Sequence, residues 1–299
     1  MSRRFFTLDV FADSPLAGNP LAVVLDAEGL DTALMQRIAR EFNLSETVFV
    51  LPPENPHHRA RIRIFTPGME MPFAGHPTVG TALLLATLDH PGATGDFVFG
   101  LEENIGVVPC AVSLTGRPYA RFNVPRLPTR QGEPKGGALL ASALGLNVND
   151  LGFDNHEPVL YGAGFPFCFV PVVDLEAIRR IQPNNGVWGD AVGTDGLDAV
   201  FAYTRQSVHT GNAFHARMFS PNDGIPEDPA TGSAVAALAG VIAHFDRPAN
   251  GEHAYRVEQG YEMGRPSLID LTMTIQHGAL AAATIGGHAV IVSEGRLRV

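Results

Sequence analysis

Between Ala60 and Phe65 the chain alternates Arg61 and Arg63 with Ile62 and Ile64, the period of a strand with one wet or ligand-facing side. After Asp31, Leu34, Ile38 and Phe42 recur at helical spacing, so Asp31 reads as the N-cap of an amphipathic helix. Two further segments, Ala82 to Leu88 and Ala234 to Ile242, show neither pattern because they are apolar almost throughout. A helix without a polar face has to be enclosed on every side. Most of the remaining elements read as short strands: Phe5 to Phe11, Leu21 to Leu25, Val48 to Leu51, Phe97 to Phe99, Gly106 to Leu114 and Ala120 to Val124. Asn43 to Thr47 reads as the loop that precedes Val48.

Landmarks of the first half recur in the second in the same order. Gly164-Phe165-Pro166 with Phe167 to Val173 answers Gly18-Asn19-Pro20 with Leu21 to Leu25, and a short amphipathic helix follows in both halves, Leu175 to Ile181 in the second. Arg217-Met218-Phe219-Ser220-Pro221 answers Arg63-Ile64-Phe65-Thr66-Pro67. Asp228-Pro229-Ala230-Thr231-Gly232-Ser233-Ala234 answers His76-Pro77-Thr78-Val79-Gly80-Thr81-Ala82. Such ordered matches indicate an internal duplication.

The expected fold is therefore α+β, with two pseudo-symmetric domains, each a β-barrel-like sheet wrapped around a central buried helix, and an active-site cleft between them. The alternative is a layered α+β pair with half-buried helices. Residues 127–137 are polar, rich in Pro, Gly and Arg, and without periodicity, which makes them the expected linker between an N-terminal domain, 1–126, and a C-terminal domain, 138–288. The last strand, 289–299, is placed with the first domain.

Composition narrows the function. The 299-residue chain has a formal charge of -10 and no basic cluster, which argues against nucleic acid and anionic membranes as partners. No apolar run reaches the roughly 18 residues of a membrane span. The start, Met1 to Val10, passes into a strand without a signal-peptide core, so the expected location is cytoplasmic. Cys110 and Cys168 stand in unrelated contexts, so neither a disulfide framework nor a metal site is indicated.

The repeat also locates candidate chemistry. Both apolar helices start with small residues, and helix N-termini attract carboxylates, so a small acidic metabolite is the expected partner. The position before Pro is His76 in one copy and Asp228 in the other. An imidazole facing a carboxylate suits moving a proton between two atoms. Read without the repeat, both residues could be helix caps, and Arg63 and Arg217 exposed strand residues. Glu70 and Glu227 could likewise be loop carboxylates, and the two cysteines inert core thiols.

Four motifs carry a family resemblance: Ser45 to Phe49, Phe73 to Gly80, Glu227 to Ala234 and Gln259 to Ser267. Together they resemble the phenazine biosynthesis PhzF-like family, over essentially the whole chain. The resemblance implies a fold similar to diaminopimelate epimerase, a homodimer, and cofactor-free isomerisation of trans-2,3-dihydro-3-hydroxyanthranilate or a related cyclic carboxylate. It implies that Glu46 is the acid/base residue that carries the proton. His76 and Asp228 would assist the transfer, and Ser45, Gly75, Gly232 and Ser233 would contact the substrate. The epimerase relatives use two cysteines at the helix starts, where this chain has Gly75-His76-Pro77 and Thr231-Gly232-Ser233. An amino-acid epimerase is thus a weaker expectation than an isomerase, and a non-catalytic metabolite-binding protein is the other alternative.

Overall fold

A computed structural model describes residues 2–192 and 198–299 of the chain. The contacts separate two compact units, Met1–Pro125 with Gly286–Val299, and Arg126–Ile285. Each is a mixture of helices and strands.

In the first unit β1 (Ser2–Val10) and β2 (Asn19–Val24) form an antiparallel pair. After α1 (Thr32–Phe42), β3 (Glu46–Leu51) joins β2 in parallel, and β4 (Ala60–Phe65) is antiparallel to β3. The two-residue β5 (Glu70–Met71) folds back on β4 and leads into α2 (Gly75–Asp89). Then β6 (Asp96–Glu103) pairs with β4 in parallel, while β7 (Gly106–Ser113) and β8 (Tyr119–Asn123) continue antiparallel. Asp31 caps α1 as expected, its side chain accepting from the Leu34 N–H at 2.7 Å.

The second unit begins with β9 (Thr129–Arg130), which lies within the stretch read as a linker, followed by α3 (Gly137–Leu144). Next, β10 (Val159–Gly162) pairs with β9 and with β11 (Pro166–Pro171), both antiparallel. Two short helices, α4 (Leu175–Arg179) and α5 (Asn185–Ala191), precede β12 (Val200–Thr204), which is parallel to β11. Antiparallel to it runs β13 (Phe214–Ser220), on which β14 (Ile225–Asp228) folds back before α6 (Gly232–Phe245). Then β15 (Gly251–Gln259) pairs with β13 in parallel and with β16 (Ser267–Gln276) antiparallel. A tight turn at His277-Gly278, both with positive φ, leads to β17 (Ala279–Arg298). Positive φ at both central residues suits a two-residue hairpin.

The portion of β17 from Gly286 belongs to the first unit. Pairing β17 with both β1 and β8 closes an eight-stranded ring of β1, β2, β3, β4, β6, β7, β8 and β17. Inside it α2 packs on β1, β2, β3, β6, β7 and β8, and every residue from Gly75 to Ala86 is buried. Gly80 sits so close to the wall that a Cβ would meet Val10 Cγ2 at 2.6 Å and Leu21 Cδ2 at 2.7 Å. A side chain there would push the helix off β1 and β2. The amphipathic α1 covers the outside, with Met35, Ile38 and Ala39 against Phe49 and Phe65.

The second unit repeats several of these pairings in the same order. The parallel pairs β2–β3 and β4–β6 recur as β11–β12 and β13–β15, and the fold-back of β5 on β4 recurs as β14 on β13. Helix α6 is buried from Ala234 to Ile242 and packs on β9, β10, β11 and β16. An outer layer of α3, α4 and α5 covers this unit, centred on Trp188 against Phe219. The short helix read over Leu175 to Ile181 is thus part of a larger cap, with α3 and α5 as additions that have no counterpart among the described residues of the first unit.

Candidate active site

In the first unit Glu46 opens β3, paired with Leu21 of β2 in the parallel register. This corrects its expected place in a loop: Ser45 and Glu46 are polar, but the backbone ladder already starts at Glu46. Ser45 lies half-buried just before the strand. His76 is the second residue of α2, after Gly75, and is buried. It is not the helix cap. That position falls to Ala74, which has no side-chain bond to offer. His76 Nε2 lies 3.3 Å from Glu46 Oε2, close but without hydrogen-bond alignment. Burial pushes the imidazole pKa down to about 3, so the ring is neutral at physiological pH.

A second carboxyl group supports the start of α2 from below. Thr78 Oγ1 lies 2.8 Å from the Ala74 carbonyl and 2.7 Å from Glu103 Oε1 on β6. The hydroxyl has one proton and the carbonyl can only accept, so both contacts are satisfied when Glu103 carries a proton. Burial acts in the same direction and pushes the Glu103 pKa up to about 8. No local pattern in the sequence marks Glu103, because its role depends on strand β6 lying beneath the helix.

In the second unit Asp228 ends β14, and the N-cap position of α6 is Thr231, three residues later. This corrects the expectation that His76 and Asp228 are equivalent helix-start residues: α2 begins about one turn earlier relative to the repeat. The Asp228–Thr231 segment stays outside the helix because other groups hold it. Thr231 Oγ1 donates to Asp228 Oδ2 at 2.5 Å, and the buried Gln259 bonds both residues. Gly232 and Ser233 form the first turn of α6, Gly232 buried and Ser233 partly exposed. Neither α2 nor α6 has a side-chain cap bond, so no cap competes for their first-turn N–H groups. Such a helix start attracts a carboxylate.

Arg63 and Arg217 are not the exposed strand arginines of the simpler reading. Each holds the acid of its own fold-back strand: Arg63 donates to both oxygens of Glu70 at 2.7 and 2.6 Å, and Arg217 to both of Glu227 at 2.8 Å. Glu70 and Glu227 are therefore engaged in fixing β5 and β14 rather than placed to carry protons. Cys110 and Cys168 lie buried on β7 and β11, and burial pushes both thiols up, Cys168 to about 12. Neither can serve as a thiolate base. Among the described residues no group of His, Cys, Asp and Glu could hold a metal ion, and no helix is long and apolar enough to cross a membrane.

The profile of the PhzC-PhzF family, phenazine biosynthesis-like protein, matches residues 8–295. The chain belongs to that family. An uncharacterized isomerase of Mesorhizobium japonicum is 51% identical to this PhzF-like chain over 300 residues, 99% of each. The trans-2,3-dihydro-3-hydroxyanthranilate isomerase of Pseudomonas aeruginosa is 35% identical over 294 residues, 98% of each. The crystal structure of the Bacillus anthracis PhzF-family protein superposes with a TM-score of 0.89 at 29% identity, covering 100% of both chains. A hydroxyproline epimerase of Agrobacterium vitis, TM-score 0.66 at 12% identity over 99% of this chain and 92% of its own, shares the fold alone. The resemblance read from the four motifs thus holds for the family and for its epimerase-like fold.

Proposed function

We propose that the protein is an isomerase that moves a proton between two carbons of a small cyclic carboxylate, trans-2,3-dihydro-3-hydroxyanthranilate or a close relative. The observation that carries this reading is the contact of Glu46 with His76 at 3.3 Å, a carboxylate beside a neutral imidazole at the buried start of α2. Two further features support it: the uncapped starts of α2 and α6, and relatives whose names describe isomerases over the full length.

In the proposed step Glu46 removes a proton from one ring carbon and returns it to another. The electrons of the broken C–H bond shift through the ring and form the new C–H bond, so atoms and electrons balance without an oxidant, reductant or cofactor. Only Nε2 of the neutral His76 ring faces Glu46, so the tautomer protonated at Nε2 would support the carboxylate and the other tautomer the protonated acid. Asp228 assists the transfer, Ser45 and Gly75 contact the substrate beside Glu46 and His76, and the Gly232-Ser233 turn receives the substrate carboxylate. Proton transfer by a positioned group of this kind contributes on the order of 10²–10⁴-fold in rate. The dimer expected from the family resemblance and a cytoplasmic location belong to the same proposal.

Incubation with trans-2,3-dihydro-3-hydroxyanthranilate in deuterated water, followed by NMR of the ring protons, tests the reading. Deuterium is expected at one defined carbon, with the signal lost in Glu46→Gln. Unchanged incorporation in Glu46→Gln would remove Glu46 as the proton carrier. Thermal stabilisation by the compound without any exchange would point instead to a binding protein.

A further inference from the structure

Gln259 ends β15 with its side chain fully buried, and the acid–base chemistry proposed above gives it no part. Its amide makes three hydrogen bonds to one short segment. Nε2 donates to the Asp228 carbonyl at 2.8 Å and to Thr231 Oγ1 at 2.9 Å, while Oε1 accepts the Thr231 N–H at 3.0 Å. The amide cannot be turned over. Exchanging its oxygen and nitrogen would set an oxygen against the Asp228 carbonyl and an NH2 group against the Thr231 N–H, two clashes of like with like.

This fixed orientation sets the direction of the next bond. An amide nitrogen only donates, so Thr231 Oγ1 accepts from it, and the single hydroxyl proton is directed to Asp228 Oδ2 at 2.5 Å. Asp228 Oδ2 is thereby held as an acceptor, and the carboxylate is locked in one rotamer. The following residue secures the same segment from the other side. Gly260 has φ +77, and a Cβ there would meet the Pro229 carbonyl oxygen at 2.6 Å and the Arg265 carbonyl oxygen at 2.5 Å. Gln259 and Gly260 together fit closely against the backbone of Asp228 and Pro229, where no larger residue than glycine could follow the amide.

We propose that Gln259 and Thr231 are positioning residues for Asp228: a one-way chain of hydrogen bonds from amide to hydroxyl to carboxylate commits Oδ2 as an acceptor and sets the orientation of the carboxylate. The proposal rests on the reading that Asp228 serves the isomerase substrate. It assigns a purpose to the Gln259 motif, which no periodicity explains, and to the choice of Thr at position 231.

The test compares Thr231→Ser with Thr231→Val, alone and combined with Asp228→Asn, by exchange kinetics on trans-2,3-dihydro-3-hydroxyanthranilate with thermal unfolding alongside. Serine keeps the relay, and valine keeps the volume without it. Thr231→Val is expected to lower kcat by about 100-fold with KM within about threefold, the cost of a misplaced catalytic group. Thr231→Ser should recover kcat to within about threefold of wild type. In the Asp228→Asn background Thr231→Val should cost nothing more, since residues acting as one unit are not additive. Gln259→Leu should match Thr231→Val, and where it fails to fold the Thr231 pair decides. Equal losses in the valine and serine variants, or an undiminished valine effect without Asp228, would overturn the positioning role while the isomerase reading stood. A wild-type protein without exchange would overturn that reading and the proposal with it.

Discussion

Arg217 holds Glu227 through two hydrogen bonds of 2.8 Å, and the next residue along the chain is Asp228. The same guanidinium donates to the carbonyls of Ile178 at 3.1 Å and Ile181 at 3.0 Å, so it ties β14 to the end of α4. Its side chain is 8% exposed, against 17% for Arg63 in the equivalent pair with Glu70. Removing one partner of a buried ion pair strands the other and the carbonyls it served. Arg217→Met should therefore destabilise the fold by about 3–5 kcal/mol, and Arg63→Met by less, as measured by urea unfolding of both variants. Equal losses would mean that burial does not set the strength of these pairs.

The buried cluster around His215 predicts how stability depends on pH. His215 Nδ1 lies 3.1 Å from Glu258 Oε2 and Nε2 lies 3.1 Å from Glu262 Oε1. Burial alone would lower the imidazole pKa, but the hydrogen bonds to the two carboxylates outweigh it and raise the value above 6.5. Burial likewise opposes ionisation of Glu258. Bonds from His215 and Asn212 and from the N–H groups of His209 and Val208 overcome it and lower the pKa from 4.5 to about 2. The His215 contribution is full below its unfolded value of 6.5 and is lost as pH rises through the folded value. The Glu258 contribution is present above 4.5 and is lost as pH falls toward about 2. From this cluster stability should be greatest between roughly pH 4.5 and 6.5. His215→Gln should flatten the alkaline side of a plot of unfolding free energy against pH.

Glu103 acts in the same direction on the alkaline side. Burial raises its pKa from 4.5 to about 8, so the native state holds a proton that the unfolded chain gives up. Stability is fully present below pH 4.5 and declines as pH rises toward about 8. Glu103→Gln keeps a donor for Thr78 without the charge. It should be near neutral at pH 5 and stabilising by on the order of 3–5 kcal/mol at pH 8 and above, measured by chemical unfolding at both values.

Much of this architecture is legible in the sequence, for identifiable reasons. The Asp31 cap and the spacing of Leu34, Ile38 and Phe42 are local, and α1 forms over Thr32–Phe42. The apolar runs after His76 and Asp228 announce burial on all sides, and α2 and α6 are buried. What the sequence hides is long-range pairing. The ring closes because Ser2 pairs with Arg298 across nearly the full chain, and no local pattern records that register. Side-chain partners hide for the same reason: Gln259 is 28 residues from Thr231, and Glu103 is 25 from Thr78. Element boundaries fail where polar residues enter ordered backbone, as at Glu46, and where a side chain rather than the helix holds a turn, as at Asp228.

The contrast between two histidines gives a direct test of the environment around Glu46. His76 and His215 are both buried beside carboxylates, yet their protons behave oppositely. At His215 two carboxylates lie within hydrogen-bonding distance, at opposite nitrogens, and favour the charged ring. At His76 burial dominates, the Glu46 contact lacks alignment, and the pKa falls to about 3. In 15N spectra of histidine-labelled protein, His76 should stay neutral, with no titration between pH 5 and 8, while His215 remains charged at least to its usual value of 6.5. A neutral His76 brings no positive charge to Glu46, which is what the proposed proton abstraction from carbon calls for. An imidazolium would stabilise the carboxylate and weaken it as a base. If His76 titrated near 6.5, the resting site would be an ion pair, and the rate would rise rather than hold steady as the ring lost its proton.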